Sequence, residues 1–360
     1  MTTAVDAEVT VGSGEHSAKR ERLLRILGEQ DASALLLTSP GALAWYLCGA
    51  RVHVSLAGDP IVQVLVTPEG DTVFATRNEV DRLRAEELPA GIAVRVLDWH
   101  ESAGPIASEL GGDRLLAEAD IAAELRAARA SLLPAEVDRY AALCRDAADV
   151  FSDVLPGLTP GTAERDATAL VGRAVLERGA DPLVLLAAGA DRLGFRHPLP
   201  TPGPLGHLAM FVVCARRHGL IANVTRWVRF GAPTAEQRDA EARILEVEAD
   251  YFAATRVGTT LAEILAEGAA SYLRHGFAAT EWENHHQGGP CGYNGRDPRA
   301  TPGAKDVVVP NQAFAWNPSA PNVKVEDTVL LGPDGIQVLS TSAWPTTTVR
   351  GLPRPSVLEL

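Results

Sequence analysis

Lysine is almost missing from this 360-residue chain: only Lys19, Lys305 and Lys324 stand among its 33 basic side chains. All the other basic residues are arginine, a skew that reads as genomic base composition rather than function. Cations of both kinds are outnumbered by 46 acidic residues, which leaves a formal net charge of −13. Binding to a phosphate backbone or to anionic lipid needs clustered cations, so neither nucleic acid nor a membrane surface is an expected partner. Cysteine is scarce as well. Cys48, Cys144, Cys214 and Cys291 are far apart and form no C-x-x-C pair, which argues against a zinc ribbon or a disulfide framework and suits reduced thiols. Cys291 has no base beside it and reads as packing. No apolar run approaches the roughly 20 residues of a membrane span. Residues 1–16 lack the basic-then-apolar order of a secretory signal. A cytoplasmic protein is expected.

What is present is ordinary globular composition, 46% hydrophobic and 22% charged, in a chain long enough for two domains. Residues 1–16 are small and polar and are expected to be disordered. From Ser17 the spacing of Leu23, Leu24, Ile26 and Leu27 predicts a helix. Short apolar runs follow at ASALLLTSP, IVQVLVT, TVFAT, VRVLDWH and RLLAEAD, separated by turn residues, as a small α/β domain over 17–131 requires. The boundary falls near Ser131–Pro134, with Pro134 at a first helical position. Over 132–360, two helices precede strands at PLVLLAAG, LAMFVVCARRH and LIANVTRWVRFG. Long helices are expected over about 235–256 and 261–274. Strand-like segments including TEWENHHQGG, QAFAWNPS and VKVEDTVLLGPDGIQVLS complete the chain.

Four motifs in order, GFRHPLP, GLIANVTRWVRFGAP, HHQGGPCGYNGRD and FAWNPSAPNVKVEDTVLL, resemble the active-site motifs of the M24 superfamily, which includes methionine aminopeptidase, aminopeptidase P, prolidase and creatinase. The first domain, with TSPGALAWYLCG, resembles the creatinase N-terminal domain. The resemblance implies an α/β plus α+β protein, a creatinase-like N-terminal domain followed by a pita-bread catalytic domain. Active peptidases of the superfamily hold two divalent ions with two aspartates, a histidine and two glutamates. Carried onto this sequence, those positions are Val212, Asn223, Gly289, Asn317 and Glu326, of which only Glu326 keeps a ligand. Val and Gly offer no donor, and neutral amides substitute poorly for carboxylates. No metal and no other cofactor is therefore expected. Creatinase is the precedent for using the same pocket without metal.

The implied site residues divide into those for chemistry and those for binding. His197 aligns with the proton-shuttling histidine of creatinase-like enzymes, and an imidazole titrates near neutrality. Glu326, buried without metal, needs Arg, His or a substrate cation to stay ionised. His285 and His286 are adjacent; in a strand only one faces the pocket, with His286 marginally preferred as catalytic and His285 as substrate-binding. Arg296 replaces a family histidine and suits a bidentate grip on a substrate carboxylate, with Asp297 and Tyr293 beside it. Asn223 and Asn317 would face the cavity as hydrogen-bonding groups. Each has a plainer alternative: a backbone-satisfied histidine, a surface ion pair, a polar fill. Gln287–Pro290 reads either as a close approach of the chain to a ligand or as a simple turn. Trp227, Trp282 and Trp316 read as core by default, with lining of the pocket as the alternative. The expected function is a metal-independent hydrolase of a C–N bond, amide or amidine-like, in a small polar metabolite or short peptide-like substrate. The alternatives are an inactive pseudo-peptidase that binds a peptide or a partner subunit, and a pocket rebuilt for isomerase, lyase or condensing chemistry. Superfamily members with the extra N-terminal domain are commonly dimeric, so a homodimer, or a heterodimer with a paralogue, is expected.

Overall fold

A computed structural model describes residues 13–360. Most of the segment expected to be disordered, residues 1–12, lies outside the described residues. The remainder corrects that expectation: helix α1 (Ser13–Glu29) begins at Ser13, not Ser17. The early turn has partners that polar composition alone does not reveal. Lys19 is fully buried, donating to Glu15 Oε1 at 2.6 Å and to the carbonyl of Trp45 at 2.7 Å, and His16 packs edge-on against Tyr46.

The chain forms two compact units that divide between Arg129 and Ala130. The first contains β1 (Ala34–Leu37), α2 (Pro40–Tyr46), β2 (Val62–Val66), β3 (Asp71–Thr76), α3 (Val80–Glu86), β4 (Ala93–Leu97), α4 (Ala103–Gly111) and β5 (Leu115–Ala117), and all but the last residue of α5 (Ala122–Ala130). Its strands lie in the order β4-β3-β2-β1-β5, antiparallel at the centre and parallel at both edges. The TSPGALAWYLCG segment is α2: Ser39 caps it through Ala42 N–H, and Pro40 occupies the first turn, where a missing N–H costs nothing.

The second unit opens with α6 (Pro134–Val154) and α7 (Glu164–Glu177), followed by β6 (Asp181–Ala188), β7 (Leu208–Arg217) and β8 (Leu220–Arg229). His218 and Gly219, both at positive φ (51° and 74°), turn β7 directly into β8, as a tight hairpin requires. Capping boxes start α8 (Ala235–Ala254, Thr234 with Gln237) and α9 (Leu261–Arg274, Thr260 with Glu263). Beyond them lie β9 (Gly288–Cys291), β10 (Gln312–Trp316), β11 (Ser319–Ala320), β12 (Val323–Lys324), β13 (Val329–Gly332), β14 (Gly335–Val338), β15 (Thr346–Val349), β16 (Leu352–Pro355) and β17 (Leu358–Glu359). One sheet runs β17-β8-β7-β6 and another β14-β13-β10-β9. Ile244, Tyr251, Ile264 and Tyr272 from the helices pack with Phe314, Trp316 and Val329 in the main core.

TEWENHHQGG is not the expected strand. Glu281–Asn284 is a short 3-10 turn, and regular pairing starts only at Gly288. Every residue of β8 is buried, including Asn223, Thr225, Arg226 and Arg229. Buried polar groups must be paired, and the partners of these define the candidate site. Among the described residues no helix is long and apolar enough to cross a membrane.

Candidate active site

His197, His285 and His286 converge, each offering a ring nitrogen within 4.8 Å of the others. His285 Nε2 is 3.2 Å from His197 Nε2, and His285 Nδ1 is 3.2 Å from Ser319 Oγ. His286 stacks on His197 with ring centroids 5.7 Å apart, and its Nδ1 is buried without a partner among the described residues. Both adjacent histidines approach His197, and of the two only His285 lines the cleft beside Ser319 and Lys324. Alternation of side chains holds within a regular strand, and residues 285–287 precede β9, outside any ladder.

A buried amide holds this turn. Gln287 Nε2 donates to the carbonyls of His285 (2.6 Å) and Trp282 (2.9 Å), while Tyr272 and Tyr251 donate to its Oε1. The opposite loop is fixed by arginines, not by the apolar residues flanking His197. Phe195 and Leu199 are exposed. Arg196 donates to Glu281 Oε1 at 2.5 Å and to the carbonyl of Ala320, and Arg192 pairs with buried Glu164. His197 itself is exposed, His286 half-buried and His285 buried. All three are held in the neutral form at pH 7. Burial pushes His285 down to about 2 and His286 to about 4, with Lys324 and Arg296 respectively as the next contributors; burial and then Lys324 also lower His197.

Glu326, the retained carboxylate, is 3% exposed and fully engaged. Arg296 donates to Oε1 at 2.6 Å, Lys324 to Oε2 at 2.7 Å and the Thr225 hydroxyl to Oε2 at 2.9 Å. Burial pushes its pKa up, but Lys324 and Arg296 outweigh that and hold it well below the usual carboxylate range. Arg296 is thereby an internal counter-ion instead of the expected grip on a substrate. Across the β7–β8 hairpin, Asn223 faces Cys214, whose Sγ donates to Asn223 Oδ1 at 3.2 Å, and Asn223 Nδ2 bonds its own strand at Ile221 O. Val212 pairs with Thr225 and packs with Leu186, Met210 and Trp227. Val212, the position carried over for the family's first aspartate, thus lies opposite Thr225, while Cys214 lies opposite Asn223.

Tyr293 also departs from expectation. Its hydroxyl donates to Glu136 Oε1 at 2.6 Å, and Glu136 caps the start of α6 through Leu133 N–H. Asp297 is fixed by its backbone N–H to the Pro290 carbonyl. Cys291 Sγ lies 3.2 Å from the Tyr140 hydroxyl. Asn317 keeps a buried Oδ1 with no partner among the described residues. The close approach at Gly288 is to β10, not to a ligand: a Cβ there would lie 2.1 Å from the Ala315 carbonyl. Gly288 and Gly289 both adopt positive φ.

His285, Ser319, Arg196, Lys324 and Trp227 line a cleft of about 10 Å³, room for a single water. A larger cavity of about 210 Å³ shares Trp227, Val323 and Lys324 with it. Sequence reasoning passed over Cys214, Ser319 and Lys324 as site residues, and read Gln287 only as part of a turn or of a close approach to a ligand. For Lys324 the signal was available: V-K-V-E puts Lys324 and Glu326 two residues apart, on one face of an extended segment.

The profile of Metallopeptidase family M24 matches residues 138–333, and that of the Creatinase/Prolidase N-terminal domain matches residues 19–150. Among solved structures, the chain is similar to dipeptidase PepE from Mycobacterium ulcerans, with TM-score 0.77 and 17% identity over 97% of this chain and 99% of that one. It is similar to the prolidase from Pyrococcus horikoshii OT3, with TM-score 0.74 and 18% identity over 90% and 98%. It is also similar to the N-terminal domain of FACT complex subunit SPT16 from Cicer arietinum, with TM-score 0.66 and 12% identity over 91% and 96%. No curated protein matches the sequence at a significant level. The architecture is thus a creatinase-type N-terminal domain followed by a pita-bread domain.

Proposed function

We propose, from the premise that the chain belongs to metallopeptidase family M24, that it is a hydrolase of that fold acting on a C–N bond, amide or amidine-like, of a small polar metabolite. Its chemistry in this reading is histidine acid–base catalysis without the family's paired divalent ions. The observation that carries the reading is the double capture of Glu326 by Arg296 and Lys324. A carboxylate already bound to two cations offers an ion neither net charge nor a free oxygen. The rest of the donor set fits a pair of ions no better. Val212 and Gly289 have no side-chain donor, and the Asn223 amide is engaged by Cys214 and Ile221.

His197 is suited to carry the proton. It is neutral at pH 7, so it takes a proton from water first, and its lowered pKa makes the resulting imidazolium a strong acid toward the leaving nitrogen. His285 Nε2, 3.2 Å away, can share that proton. Lys324 lines the cleft that His285 borders, with its charge paired to Glu326. The test is release of ammonia or amine from a panel of small amides, ureides and amidines by chelator-stripped protein. Turnover that persists after stripping, and falls at least about 100-fold in His197→Asn, is expected. Turnover only after manganese, cobalt or zinc is restored would refute the metal-free part.

The likeness to the SPT16 domain carries fold alone, but a chain charge of −13 suits a basic partner if the pocket is inactive. In that second reading no member of the panel turns over, and binding to a basic protein survives His197→Asn.

A further inference from the structure

We infer that His197, His285 and His286 form a binding site for one imidazole-preferring transition-metal ion of the zinc class, at positions other than those of the family's paired ions. The inference concerns the same cleft as the proposed hydrolysis and rests on that reading only for its effect on turnover.

The geometry is that of a first coordination shell. Zinc–imidazole bonds of about 2.0–2.1 Å at a tetrahedral angle hold neighbouring ligand nitrogens about 3.3 Å apart. His285 and His197 present Nε2 atoms 3.2 Å apart, and the third ring brings its nitrogen within 4.8 Å. His286 Nδ1 is buried with no partner among the described residues, so a ring nitrogen in this group lacks the bond that burial demands. His285 has the outer-layer support that metal-binding histidines require. Ser319 Oγ engages His285 Nδ1, which leaves Nε2 for an ion, and Gln287 ties down the His285 backbone.

The charges nearby specify what completes the coordination. Lys324 acts on His285, and Arg299, an exposed side chain, acts on both His197 and His286. Three imidazole nitrogens suit a late transition metal rather than a hard, oxygen-seeking ion such as Mg²⁺. The positive charge of Arg299 favours an anion, hydroxide or a carboxylate, in the remaining position. An ion held by His197 occupies the lone pair that proton transfer needs, so ion binding and the proposed acid–base role exclude one another.

The experiment uses the full chain stripped with chelator and dialysed against ZnCl₂, with CoCl₂ as a spectroscopic probe. About one ion per chain is expected, together with the visible absorption of tetrahedral, nitrogen-ligated cobalt. His285→Gln and the exposed-position variant His197→Gln should each lose the spectrum and weaken zinc at least tenfold. Cys214→Ser should keep both. Circular dichroism checks folding, and His197→Gln remains informative if His285→Gln unfolds. Zinc content at background, or unchanged in His197→Gln, or lost in Cys214→Ser, would overturn the site. The two readings part in turnover. Suppression by zinc agrees with both, and stimulation sinks the proton-carrier role of His197 while the ion site stands. Turnover in stripped protein that binds no zinc leaves the hydrolase reading intact and removes the ion site.

Discussion

At the scale of single residues, His197 and Glu326 carry opposite burdens. His197 is exposed and its loop is held by its arginine neighbours, so His197→Asn should shift the melting temperature by about a degree at most. Differential scanning fluorimetry beside the activity assay checks this. Because His197 must be neutral to act and its pKa lies below 6.5, the acid limb of the rate profile should have its midpoint below pH 6.5. A midpoint above 6.5 would assign the limb to another group. Glu326→Gln leaves two buried cations without a counter-charge, and breaking a buried pair in this way costs about 3–5 kcal/mol. Urea unfolding should show it.

His285 adds a pH term of definite sign. Burial, then Lys324, His286 and His197, hold it at about 2, against 6.5 in the unfolded chain. The unfolded state therefore binds the proton first, so this contribution is complete above pH 6.5 and is lost as pH falls. The slope is up to about 1.4 kcal/mol per pH unit. Denaturant titrations from pH 7 to 5 should give a shallower decline in His285→Gln. An equal slope would mean that the ring is protonated in the folded protein.

At the scale of elements, the β8 strand and the segment around Glu326 share one logic. Thr225 and Glu326 meet on one face, while their neighbours Arg226 and Asp327 form a buried ion pair at 2.9 Å on the other. Asp327 is joined there by Arg354 and Glu248. Two adjacent carboxylates thus serve different ends because side chains alternate along an extended chain. The second decisive element is β9. Its first residue approaches β10 so closely, and at φ 97°, that no side chain fits. Gly288→Ala should separate β9 from β10 and disorder the histidine turn. The expected result is loss of soluble protein or a melting temperature lower by more than about 5 °C, several times the effect of a surface change.

At the scale of the whole molecule, the homodimer expected from the creatinase-like architecture is a matter for solution. Light scattering on the purified chain should give twice the 38.1 kDa chain mass. A monomer at micromolar concentration would count against it. A heterodimer with a paralogue would appear as a second chain co-purifying in equal amount.

Helices α6 to α9, the strands β7 and β8 and the order of the four motifs were legible in the sequence. Their signals are local: apolar spacing, capping residues, and Pro and Gly at turns. The candidate residues His197, His285, His286 and Glu326 were legible too, as residue types in an ordered motif series. What the sequence could not decide was who faces whom. That Cys214 lies opposite Asn223 follows from the turn at His218 and Gly219, which apolar patterning alone did not assign. The convergence of both adjacent histidines depends on a break in strand pairing. The occupation of Glu326 by Arg296 and Lys324 depends on bringing residues 296, 324 and 326 into one buried volume, where low dielectric compels a carboxylate and its cations to pair. Local preference wrote the elements; desolvation of charge, possible only once the chain was packed, chose the partners.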